Sequence, residues 1–177
     1  CIFCSGTLRP LKAFATTAGI EEYAGKSFFM KSDMSNIKSV IISGVNTKGE
    51  DISRNMIERY VSLLNNFFKL KTNSAVFFSS YRVMDIMLKA GIKDMAEGYG
   101  KNVFIERQGM HGGDARRILD NFKQSAKQGN GLLLASMQGR FAEGADFPGR
   151  ELEGIMLIGI PFDRMNLKTR LYLEYYK

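Results

Sequence analysis

The sequence predicts an α/β domain, doubly wound, with a mostly parallel sheet flanked by helices. Three observations predict it. Short apolar runs such as Leu132-Leu133-Leu134-Ala135 are hydrophobic on both faces and too short for a typical helix, as strands inside a parallel sheet are. Segments with helical apolar spacing separate these runs, which is the strand-helix alternation of a wound sheet. Each run then releases hydroxyls, amides or arginines at its carboxyl end, the place where open α/β sheets hold their ligands.

Taken in order, Cys1 to Cys4 reads as a short strand, Leu11 to Ile20 as a helix and Lys26 to Met30 as a strand. Ile37 to Val45, with Val40, Ile41 and Ile42, reads as another strand, closed by the turn Asn46-Thr47-Lys48-Gly49. From Ile52 to Leu70, residues Ile52, Met56, Ile57, Tyr60, Val61, Leu64, Phe67 and Phe68 fall at helical spacing, so a long amphipathic helix packs on the sheet. Ala75 to Phe78 is the next buried strand, followed by a helix through Val83, Ile86, Met87 and Leu88 that ends near Gly91. Val103 to Ile105 is a strand, and Asp114 caps a helix carrying Ile118, Leu119 and Phe122. The Leu132 run is the central strand. Ile155 to Ile160 is the last strand, and a helix runs from about Asn166 to Tyr176.

At 177 residues with 45% hydrophobic content, the chain has the size and composition of one globular domain. Its 25 Lys and Arg against 18 Asp and Glu leave a net charge of +7, which suits a polyanion such as nucleic acid and equally a plain solvated surface. No apolar run approaches the ~20 residues of a membrane span. The start of the chain lacks the layout of a secretory signal, so the protein reads as intracellular. Cys1 and Cys4 form a Cys-x-x-Cys, but with one histidine, His111, and no second cysteine pair, a zinc site lacks its remaining ligands.

Parallel strands would bring five strand ends to one edge: Ser5 to Arg9, Ser79 to Arg82, Glu106 to Gln108, Gln138 to Asp146, and Pro161 to Arg164. Every one includes an arginine. Hydroxyls and backbone N–H groups donate to phosphate oxygens, and arginine holds an oxygen pair in its fork. The segment from Gln138 to Asp146 packs three charges, two glycines and one aromatic into nine positions, the composition of a contact loop.

Several of these stretches carry a more specific likeness. Ser5-Gly6-Thr7-Leu8 with Pro10, Phe77-Phe78-Ser79-Ser80-Tyr81, and Glu143-Gly144-Ala145-Asp146-Phe147 resemble, in order and separation, helicase motifs III, IV and V of the XPD family, superfamily 2 DNA helicases of nucleotide excision repair. Gly159-Ile160-Pro161-Phe162, then Lys168-Thr169-Arg170-Leu171 with Glu174-Tyr175, is similar to the strand and helix after motif V in that family. The resemblance implies a RecA-like fold and the second motor domain of an ATP-dependent DNA helicase of 5′ to 3′ polarity. Residues 1–25 would be the motif III segment at the junction with the first motor domain, and 26–177 the second motor domain itself. The implied partners are single-stranded DNA and the first motor domain of the same parent chain, working as a monomeric motor without a membrane. Such a protein is cytoplasmic in a prokaryote and nuclear in a eukaryote. ATP and Mg2+ are the implied cofactors of the parent, with a 4Fe-4S cluster in its first domain and not on Cys1 and Cys4. There is no Gly-x-x-x-x-Gly-Lys-Ser/Thr loop, no acidic Walker B tetrad and no motif VI, so the resemblance implies that this chain alone does not hydrolyse ATP.

The resemblance also assigns roles. Asp146 would accept a hydrogen bond from the ATP ribose, with Glu143, Gly144 and Thr7 completing this side of the nucleotide cleft. Both acids also suit simple turn roles. Arg140 would meet a DNA phosphate, and Phe141 would either stack on a base or sit in the core beneath the loop. Ser79, Ser80 and Tyr81 would grip the DNA backbone, unless Tyr81 starts its helix and covers the core. Arg107, Gln108 and His111 stand on a neighbouring rim loop. Thr7 and Arg9 would transmit nucleotide state between domains, or Arg9 is a surface charge. The competing reading is a stand-alone nucleic-acid-binding α/β module without ATPase activity. A dinucleotide enzyme needs a Gly-x-Gly-x-x-Gly run after its first strand, which this chain lacks.

Overall fold

The computed structural model describes residues 1–5, 8–28, 34–47, 52–161 and 166–175. They fall into two compact units, Cys1–Ile41 and Ile42–Lys177.

In the first unit the helix α1 (Leu11–Thr17) forms where the Leu11 reading put a helix. Phe3 packs edge-on against Phe14 of α1 with ring centroids 5.3 Å apart. Cys1 to Cys4 and Lys26 to Phe28 form no strand, and Phe29 and Met30 lie outside the described residues. Ile37 to Val45, which crosses from this unit into the next, forms none either. A strand exists only as one member of a ladder, because its N–H and C=O groups need a partner chain. Local hydrophobicity at these segments gives them no such partner among the described residues.

The second unit holds the sheet. The helix α2 (Arg54–Phe68) starts at Ser53, whose hydroxyl accepts from the Met56 N–H. Then come β1 (Ser74–Phe78), α3 (Tyr81–Lys89), α4 (Ile92–Gly98), β2 (Asn102–Ile105), α5 (Gly112–Gln124), β3 (Gly131–Ser136), β4 (Gly154–Ile158) and α6 (Leu167–Tyr175). The four strands stand in the order β2-β3-β1-β4, and every neighbouring pair is parallel. The wound α/β expectation is therefore met. α4 is an addition to the sequence reading, a short helix started after Gly91 in the left-handed conformation, φ 85°. The helix read as capped by Asp114 starts three residues earlier; His111 is its N-cap and Asp114 lies in the first turn, paired with Arg117 at 3.0 Å.

Alternate strand residues feed two cores, as the pleat requires. Val76, Phe78, Leu132, Leu134 and Ile158 pack with Tyr60, Leu64 and Phe68 of α2 and with Val83, Met84 and Met87 of α3. Ala75, Phe77, Leu133 and Ala135 point the other way, onto Ala115 and Phe122 of α5. β1 and β3 are covered on both faces, which is why Ala75 to Phe78 and Leu132 to Ala135 are apolar throughout.

Candidate nucleic-acid and nucleotide interface

Because all four strands run the same way, their carboxyl ends meet one edge. Four described segments leave it: Ser79 to Arg82, Glu106 to Gln108, the stretch after Ser136, and Gly159 to Pro161 after β4. The ladder continues a step beyond each central strand, Ser79 N–H donating to the Ile158 carbonyl at 2.9 Å and Met137 N–H to the Phe78 carbonyl at 2.7 Å. The Ser5 to Arg9 segment belongs to the first unit, its described residues form no strand, and its Arg9 Nε donates to Ser27 at 3.2 Å. Gly6 and Thr7 lie outside the described residues, as do Phe162 to Arg164 after β4.

The group that organises the edge is Glu106, the first residue past β2, only 2% exposed. One of its oxygens accepts from the Ser136 N–H at 3.0 Å, and the other accepts from the Arg140 N–H at 2.6 Å. The Tyr81 phenol lies close enough to feel the same side chain. Burial, then the negative Glu106, raise the Tyr81 phenol above its ordinary value, with Arg140 opposing them. Tyr81, Glu106, Arg107 and Gln108 also line a common shallow cavity of about 300 Å³. The structure thus joins Tyr81, Arg107, Gln108 and the backbone of Arg140 in one neighbourhood. Glu106 is the residue that sequence reading passes over. An acid beside an arginine at a strand end looks like a rim charge, and only the tertiary contacts reveal that it is buried.

The Arg140 side chain is exposed, and its Nη1 lies 3.9 Å from where a Cβ on Gly112 would stand, beside the first turn of α5. Asp146 and Glu143 are exposed too, and Gly144 takes φ 78°. The loop travels down α5, because the Asp146 carbonyl accepts a hydrogen bond from Lys123 Nζ in the last turn. At 1.5 Å per residue, Gly112 and Lys123 are roughly 16 Å apart along the helix. Asp146 is therefore not drawn up to the edge beside Arg140, as a single compact rim would have it. Phe147 fixes this end, with its ring 6.0 Å from that of Phe122 and Lys123 above it at 5.4 Å.

Three hydroxyl and ring expectations change on this geometry. Phe141 is 4% exposed within the core of Ala75, Phe77, Leu133 and Ala135, so its ring is not offered to a base. Ser80 caps α3, its oxygen accepting from the Val83 N–H at 3.3 Å, because the first turn of a helix leaves N–H groups without partners. Ser79 is buried beneath the turn. Tyr81 starts α3, the second of its two readings. His111, Arg107 and Gln108 are exposed.

Residues 63–177 match the helicase C-terminal domain family. The chain belongs to that family. Among its relatives it is similar to a protein named probable ATP-dependent helicase from Methanocaldococcus jannaschii, 30% identical over 91% of this chain and 24% of the relative. It is similar to the XPD/RAD3 helicase subunit of general transcription and DNA repair factor IIH of Saccharomyces cerevisiae, 28% identical over 96% of this chain and 24% of that protein. A regulator of telomere elongation helicase 1 homolog of Caenorhabditis briggsae is 26% identical over 98% of this chain and 20% of its own length. The helicase C-terminal chain thus spans about a quarter of the first two of these relatives. The likeness to XPD-type helicases read from its motifs holds, and the sheet of the second unit is the RecA-like α/β fold expected of it. Among the described residues of this helicase domain, no helix is long and apolar enough to cross a membrane, and no three His, Cys, Asp or Glu side chains gather to hold a metal.

Proposed function

We propose that this chain is the second motor domain of an ATP-dependent, 5′ to 3′ DNA helicase of nucleotide excision repair, contributing single-strand grip and part of the ATP cleft. On this reading residues 1–25 join it to the first motor domain, which carries the phosphate-binding loop. Cys1 and Cys4 are exposed, free thiols and the sequence holds no further cysteine, a set that does not fit an iron–sulfur cluster; on this reading the cluster and the ATP-bound Mg2+ belong to the parent.

The observation that supports the reading is the setting of Arg140. Its backbone is held by Glu106 and its exposed guanidinium stands beside the first turn of α5. A helix N-terminus is the positive end of the macrodipole and presents unpaired N–H groups, so a cation next to it favours an anion shared by both. A DNA phosphate supplies that anion. Arg107, Gln108, His111 and Tyr81 extend the same surface, while the hydroxyls of Ser79 and Ser80 support the turn from beneath. At the other end of the loop the exposed Asp146 accepts ribose hydroxyls, with Glu143 and Gly144 beside it, when ATP draws the two domains together. Alternating affinity of the two halves for the strand then moves the motor, since nucleotide shifts the closed population only by binding it more tightly.

The test uses the full-length parent. Arg140→Ala should weaken single-strand binding about tenfold and lower the salt dependence of log Kd by about 0.7, one phosphate contact on a single strand. Unchanged affinity and slope would overturn the DNA assignment. Asp146→Asn should raise KM for ATP and reduce DNA-stimulated turnover, and wild-type kinetics would remove Asp146 from the nucleotide site.

A further inference from the structure

We infer that Glu106 is a positioning residue whose buried carboxylate locks the Ser136–Arg140 loop to the carboxyl end of β2 and so sets where Arg140 meets a phosphate. The inference rests on the DNA-binding reading of Arg140 given above.

The geometry carries it in three steps. Glu106 is fixed at its base, since its own N–H still belongs to the ladder, donating to the Leu134 carbonyl at 2.9 Å. Its side chain therefore transmits the position of the sheet. Its tip then gathers N–H groups four residues apart, Ser136 on one oxygen and Arg140 on the other. Two further bonds close the same turn, Gly139 N–H to the Ser136 carbonyl at 2.9 Å and Gln138 N–H to Ser136 Oγ at 3.2 Å. Finally, the approach tolerates no side chain at position 139. A Cβ on Gly139 would overlap both carboxylate oxygens of Glu106. A carboxylate taken out of water is costly unless its oxygens are bonded. Here both N–H groups that bond it come from the segment that carries Arg140, and Tyr81 of α3 lines the same cavity. A buried acid whose partners are loop N–H groups specifies a loop shape that an apolar residue at the same place leaves loose.

Glu106→Gln keeps the shape and removes one acceptor, so an NH2 group faces a backbone N–H and one end of the turn is released. In the full-length parent, titrated with fluorescent oligo-dT over a series of salt concentrations, Glu106→Gln should weaken binding about tenfold and lower the salt slope by about 0.7, the same loss as Arg140→Ala. The double variant should bind no more weakly than Arg140→Ala alone. The slope separates positioning from lost fold, because the molecules that remain folded keep all their phosphate contacts if Glu106 only stabilises. Should Glu106→Gln fail to fold, Gly139→Ala, whose methyl displaces the carboxylate, carries the same expectation. Wild-type slope in Glu106→Gln or its stand-in, or additive losses in the double variant, overturns the inference while Arg140 stands. Wild-type binding by Arg140→Ala overturns the DNA reading and the inference with it.

Discussion

Asn73 closes the amino end of the sheet much as Glu106 closes the carboxyl end. Its amide is fully buried and fully used: Nδ2 donates to the Phe122 carbonyl at 2.8 Å and the Glu151 carbonyl at 3.0 Å, while Oδ1 accepts from Gly131 N–H at 2.8 Å. One side chain thus ties β1 to the end of α5, the start of β3 and the approach to β4. Gly131 must be glycine there, since a Cβ would collide with the Asn73 amide. Asn73→Ala leaves those groups buried without partners and should cost about 3 kcal/mol by urea unfolding. Asn73→Asp should cost at least as much, because it turns a carboxylate oxygen towards two carbonyls. A smaller loss for Asp than for Ala would show that the donated bonds carry little. Neither Asn73 nor Glu106 is legible in the chain, because a polar residue beside a strand has the same local signature whether it faces water or is encircled by backbone.

The helices were more legible than their ends. The spacing of Tyr60, Leu64 and Phe68 placed α2 correctly, and all three are buried. α4 has the same signal in Ile92, Met95 and Ala96, but three glycines within ten residues disguise so short a helix. Tyr60 permits a test of α2 packing by pH. Burial raises its pKa above the ordinary 10.0, so the fold favours the neutral phenol. That contribution is complete below pH 10.0 and is lost as pH rises through the higher folded value. Tyr60→Phe should therefore match the wild type near neutral pH and lose less stability above pH 10.0 in chemical denaturation. Parallel curves for the two proteins would contradict burial of the hydroxyl. Tyr81, raised in the same direction, leaves a residual decline in the variant.

Among the described residues, the sheet leaves one face of β4 unguarded. β4 is an edge strand in the order β2-β3-β1-β4, and Leu157 is 65% exposed on the face where Phe77 of β1 packs against the α5 core. An exposed edge with apolar side chains pairs readily with a second chain. The isolated chain should self-associate with rising concentration in sedimentation, despite its net charge of +7, and Leu157→Lys should return it towards monomer without lowering its stability. Concentration-independent sedimentation of the wild type would contradict this. The alternation of apolar runs and helical spacing was enough to establish the wound α/β sheet, and the order of its motifs was enough to identify the helicase C-terminal family, because burial on both faces and motif spacing are written along the chain. The partners of the segments were not. Cys1 to Cys4 and Ile37 to Val45 are apolar enough for strands yet join no ladder among the described residues, Phe141 left its loop for the core, and Glu106 became the centre of the edge. Each outcome depends on contacts between residues far apart, as Asn73 and Gly131 are at a separation of 58, and such contacts exist only once the chain has folded.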